Sequence, residues 1–187
     1  MALLPGRIRS LAPAFCSASR RYAGCNNGAS AVEFALIAAP FLALLVAILQ
    51  TAVVFFAGRV LDETTEQASR YILTGQAQTS GMTQAQFGDY VCQKSSSLFS
   101  CNNFMINVQN YSSFASANTS TPTLTFDSSG AVTNQWAWSP GNAGDIVIVQ
   151  VMYQWPIILG PLGFNLSNLS NGNRLLVSTV ALKTEPY

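Results

Sequence analysis

The chain of 187 residues holds eight acids, nine lysines and arginines, and no histidine. Without histidine it lacks the commonest general base and the commonest metal ligand. Asp62, Glu63 and Glu66 make one acidic cluster. Asp62 and Glu66 share a helical face, and with no His or Cys beside them they read as a solvated face rather than a metal site. Asp127 and Asp145 lie in different segments, and nothing sets them at the separation that paired-carboxylate hydrolysis needs. Cys92 and Cys101 have eight residues between them, which is not the C-x-x-C spacing of a redox pair. There is no Gly-rich phosphate loop, no Cys/His constellation, and no serine or cysteine with a candidate base. No cofactor, no metal and no small-molecule substrate are therefore expected, and the chain is read as not an enzyme. A net charge of +1 and the absence of an amphipathic basic stretch speak against nucleic acid as a partner.

Glu33 is the acid whose position is most informative, because it stands at the entrance of a run without charge, Phe34 to Gly58. As a helix that run spans roughly 37 Å, against about 30 Å for a bilayer core. Residues 1–28 carry Arg7, Arg9, Arg20 and Arg21 and no acid, whereas Arg59 and Arg70 alone follow closely on the far side. The positive-inside rule then places the N-terminus in the cytoplasm and the C-terminal bulk outside it. The apolar run is too long for a secretory h-region. Two roles fit Glu33: an interfacial acid favoured by the helix N-terminus, or the partner of a cation when subunits pack side by side. A free α-amino group would suit the second role, and it would exist there only if the chain were cut just before Glu33.

Gly28-Ala29-Ser30-Ala31-Val32-Glu33-Phe34 resembles the processing site of type IV prepilins of the tight-adherence (Flp) class, and the chain most resembles their TadE-like proteins, minor pseudopilins of that system. The resemblance implies cleavage by a prepilin peptidase after Gly28, the last residue of a basic leader. It makes Ala29 the new N-terminus and Glu33-Phe34 the pair used for recognition and assembly. Cys16 and Cys25 in the leader depart from the expected pattern. Gly144-Asp145, the strand end Tyr153-Gln154-Trp155-Pro156 and the terminal Glu185-Pro186-Tyr187 also look like this family, less specifically. Implied partners are the inner membrane, the peptidase, and other pilus or secretion-machinery subunits.

The elements that must position these residues follow from local pattern. Leu61, Thr65, Ala68 and Ile72 continue the apolar run at helical spacing, so one helix is expected over about residues 30–73, capped by Gly75 and mildly kinked near Pro40. Thr83-x-x-Gln86 fits a capping box that opens a second helix, with Phe87, Tyr90, Val91 and Leu98 as its buried stripe. Outside the cytoplasm Cys92 and Cys101 are best read as a disulfide, which contributes about 2.7 kcal/mol in the chain-entropy view. Residues 105–111 alternate like a half-buried strand. Residues 110–135 are rich in Ser, Thr and Asn and read as loop, with one short strand around Leu124 and Phe126. Asn-x-Ser tripeptides there and at Asn165 and Asn168 matter only where a glycosylating pathway reads them. Pro140-Gly141 marks a turn. Residues 145–155 and 174–182 are β-branched and aromatic, and read as antiparallel partners. Pro156 ends the first or places it near an edge, and Gly160, Pro161 and Gly163 lie in a connection long for a hairpin.

The expected fold is α+β: a long N-terminal transmembrane helix continuing into a small pilin-like domain with a second helix and an antiparallel sheet. Its parts are a basic cytoplasmic leader (1–28), a transmembrane helix (29–58) and an extracytoplasmic domain (59–187). The alternative is an uncleaved single-pass envelope protein with an extracytoplasmic binding or adhesion domain.

Overall fold

The computed structural model describes residues 27–95, 98–157 and 164–187. The leader arginines, Cys16, Cys25 and the connection residues Gly160, Pro161 and Gly163 lie outside the described residues. Helix α1 runs from Asn27 to Leu73 and passes through Pro40 without interruption. The chain divides between Leu45 and Val46 into two units. In the first, the helical residues Gly28–Leu45 are almost all exposed, including Val32, Phe34, Leu36, Ile37 and Phe41. An apolar surface so continuous is what lipid, rather than water, solvates at low cost.

In the second unit α1 turns amphipathic. Val54, Ala57, Leu61, Thr64, Thr65, Ala68, Ser69 and Ile72 are buried, which is one stripe at three- and four-residue steps. The expected stripe of Leu61, Thr65, Ala68 and Ile72 is therefore present and reaches back two turns further. Ala57 and Ala68 are fully buried within that stripe. The Thr65 hydroxyl would be an unpaired donor in that core, but it donates to the Leu61 carbonyl at 2.7 Å. Gly75 follows the helix with φ +73, and its N–H donates to the Ile72 carbonyl at 3.1 Å. This left-handed turn is the cap that the glycine promised. A single-turn helix, α2 (Gln76–Thr79), comes next without a sequence signal of its own.

Helix α3 spans Gln84–Lys94 behind the expected capping box, with Thr83 and Gln86 each serving the other's backbone N–H. Phe87 and Val91 are buried, and Tyr90 is half-buried against Tyr71. Leu98 is not on this helix, contrary to the expected stripe. The chain turns extended at Ser95, where serine competes with helical hydrogen bonding, and Leu98 reaches the core from the following turn. Cys92 and Cys101 form the disulfide and tie the last turns of α3 to the start of the sheet.

Three strands, β1 (Phe104–Tyr111), β2 (Ile146–Trp155) and β3 (Arg174–Lys183), form an antiparallel sheet in the order β1-β2-β3. The fold is thus α+β, as expected. Central β2 is buried on both faces for most of its length, which explains its continuous apolar run. Val147, Val149, Val151 and Tyr153 join the core shared with α1 and α3. Met152 faces the other way, with Met105 and Leu175, under Leu124, Phe126 and Trp136. Residues 117–139 are therefore a lid on the second sheet face. The strand expected around Leu124 and Phe126 is reduced to one bridge, Phe126 to Val132, because the segment turns back at Asp127–Gly130. Trp138 lies parallel to Val108 and shields the outer edge of β1.

Candidate functional site: the processing junction and the helix that follows it

Nothing crowds Gly28, whose missing Cβ would meet no atom within 4 Å. In this state the Gly28–Ala29 bond lies in the first turns of α1. Ala29 and Glu33 are four residues apart on the helix, so they share a face and stand one turn from each other. Helical side chains lean toward the N-terminus. A carboxylate at Glu33 therefore leans toward the nitrogen of Ala29, and cleavage would turn that nitrogen into an amine. Glu33 is exposed, and Phe34 beside it is 73% exposed. Both are available to another protein rather than committed to their own fold.

Around the far end of α1 the structure gathers residues from distant parts of the sequence. The Glu185 N–H donates to the Leu73 carbonyl at 2.8 Å, satisfying one of the free acceptors of the helix end. Thr184 is buried; its N–H donates to the Asp145 carbonyl, and its carbonyl accepts from Gly144 N–H. The Tyr187 ring lies over Gly75, where a Cβ would fall 2.1 Å from the tyrosine Cδ1. Gly144-Asp145 and Glu185-Pro186-Tyr187, which looked unrelated along the chain, are two sides of one latch on the helix end. Thr184 and Gly75 complete the latch; their sequence signal was only a turn glycine and a hydroxyl before the terminal motif.

The lid side of the sheet holds a second polar group. Gln150, the polar residue within the buried run of β2, accepts from Asn107 Nδ2 at 3.0 Å and donates to the Ser120 carbonyl at 3.1 Å. Asn107 Oδ1 accepts from Gln109 Nε2 and from the Ala137 N–H, and Tyr111 donates to Gln109 Oε1 at 2.6 Å. These amides pair with one another and with the lid backbone, and their role is to seat the lid. Asp127 sits in a turn of the lid. Hydrogen bonds from the Ser129 hydroxyl, the Ala131 N–H and the Ser129 N–H hold its carboxyl below the ordinary value of 3.8. Among the described residues, no three His, Cys, Asp or Glu side chains come together as a metal site.

Among the described residues, one helix, near the N-terminus, is long and apolar enough to cross a membrane. No curated protein and no solved structure matches this chain. The family model described as TadE-like protein does match, over residues 28–70, from the end of the basic leader through the apolar run and into the amphipathic part of α1, and over that stretch the chain is similar to that family.

Proposed function

We propose that the protein is a membrane-anchored minor pilin or pseudopilin that takes part in assembling a tight-adherence pilus and is not an enzyme. The family match over residues 28–70 supports this reading. The carrying observation is a coincidence of positions: the match begins at residue 28, where the basic leader ends and five residues before Glu33. In this reading a prepilin peptidase cuts between Gly28 and Ala29. The residues up to 58 hold the inner membrane, and the domain of residues 59–187 stands outside the cytoplasm. Glu33 neutralises the new amine of Ala29, on its own chain or a neighbour's, and the exposed apolar surface of α1 packs against other subunits. The small residues Ala29, Ser30, Ala31, Ala35, Ala38 and Ala39 allow close approach there.

The test is the N-terminal sequence, by mass spectrometry, of protein isolated from its native membrane. A chain beginning at Ala29 is the expected result. A chain beginning at Met1 or Ala2, with the peptidase present and active, would overturn the processing step. It would favour an uncleaved envelope protein with an outer binding or adhesion domain.

A further inference from the structure

β2 and the outer part of α1 lie in one core and cover nearly the same length. Ten strand residues extend about 33 Å, and the helix from Val53 to Leu73 extends about 30 Å. The end of β3 and the residues after it meet the top of the helix, where Glu185 bonds Leu73. Strand β2 begins at that same end, since Ile146 pairs with Lys183. Its other end, Trp155, therefore falls beside the helix near Val53. A cleft of about 410 Å³ opens there, lined by Val46, Leu49, Gln50, Val53, Trp155 and Pro156.

This rim lies inside the charge-free run, not beyond it. Arg59 is the first charged residue of the helix after Glu33, yet the domain already flanks the helix at residues 46–53. On the uncovered sides of the same stretch Ile48, Phe55 and Phe56 are 60–69% exposed. Trp155 is half-buried, with one edge packed on Phe99 at 5.9 Å, and Pro156 is exposed. Arg174 pairs with Trp155 across the ladder. Tryptophan beside an apolar surface is the composition of a membrane boundary. From Phe34 to Val53 the helix spans roughly 30 Å, which already fills a bilayer core. Phe55 and Phe56 then fall at headgroup depth.

We propose that the rim of the domain is a lipid-contact site: an acyl chain of the adjacent leaflet fills the cleft between Val46, Leu49, Val53 and Trp155, and Pro156 enters that leaflet. The occupant is lipid because the cleft is continuous with the apolar helix surface and has no charged residue in its lining. The domain thus rests on the bilayer at a set height. This inference depends on the helix spanning a membrane, and the experiment separates the two.

The full chain is reconstituted in phosphatidylcholine vesicles carrying bromine at defined acyl-chain depths, and vesicle flotation is checked first. The contribution of Trp155 to fluorescence is the difference between the unaltered protein and Trp155→Phe. It is expected to fall at least twofold with shallow bromines and to resist aqueous iodide. Pro156→Glu, at an exposed position, is expected to reduce the bromine quenching while near-UV circular dichroism is unchanged. Protein that floats but whose Trp155 signal ignores bromine would overturn the lipid site and leave the spanning helix intact. Quenching that disappears as the protein-to-lipid ratio rises would assign the cleft to a second copy of the chain, which also overturns it. Protein that fails to float would remove the spanning reading, and this inference with it.

Discussion

At the scale of single residues, two positions make sharp demands. Gly75 holds φ +73 beneath the ring of Tyr187. A side chain in that backbone region costs about 1–2 kcal/mol, and any Cβ must also displace the tyrosine. Gly75→Ala is therefore expected to lower stability by at least that amount in denaturant titration of the detergent-solubilised chain, and to free the C-terminal latch. Asp127 makes the opposite kind of statement, one about pH. Its folded-state pKa is depressed by the Ser129 hydroxyl and by the backbone N–H groups of Ser129 and Ala131. A depressed carboxyl contributes stability above its unfolded value and loses that contribution as pH falls through the folded value. The turn should therefore be intact at neutral pH and loosen only in acid, below the ordinary value of 3.8. A carboxyl titration followed by NMR should have its midpoint under that value, and a midpoint at or above it would remove the hydrogen-bonded turn. Neither position was visible as special in the sequence, beyond Gly75 as a helix stop. Gly75 meets a ring more than a hundred residues away, which no local pattern records, whereas Asp127 is held by Ser129 and Ala131, two and four residues on, in one of several turns that a Ser- and Gly-containing segment can form.

Elements were more legible than residues. The amphipathic stripe of α1 and the Thr83–Gln86 capping box depend on contacts three or four residues apart, and such contacts are written directly in sequence order. The central strand was legible for another reason: burial on both faces selects a nearly continuous apolar run, rich in β-branched residues. Leu98 and the strand near Phe126 were misplaced because short apolar pieces among serines and threonines fit several backbones equally well. The Cys92–Cys101 bond connects α3 to the sheet, and its effect belongs to this scale. Replacing both cysteines with serine is expected to cost about 2.7 kcal/mol by the loop-entropy argument. Chemical denaturation of the oxidised protein and the double variant measures it. An unchanged midpoint would mean that α3 is held by Phe87 and Val91 alone.

For the whole molecule, the division of labour in α1 matters most. Its first part presents an exposed apolar surface, and its last part is an interior element of an α+β domain. In the proposed assembly the first part meets lipid and other subunits, so changes there should spare folding and affect association. Glu33→Gln is expected to insert in the membrane normally and to assemble poorly, as read by the amount of pilus at the cell surface against the amount of protein in the membrane. Normal assembly by that variant would refute the pairing of Glu33 with the Ala29 amine. What the sequence determined by itself was the apolar run, the charge step across it, the resemblance at Gly28–Phe34, and the helices and strands with local signatures. Each rests on near neighbours or on composition. Only the tertiary structure decided that β2 is central, that residues 117–139 cover the second sheet face, that the C-terminus latches the helix end, and that Trp155 lies beside Val53. Those arrangements join positions tens of residues or more apart, where chain connectivity imposes little and packing, edge protection and backbone hydrogen bonding select one pairing among many.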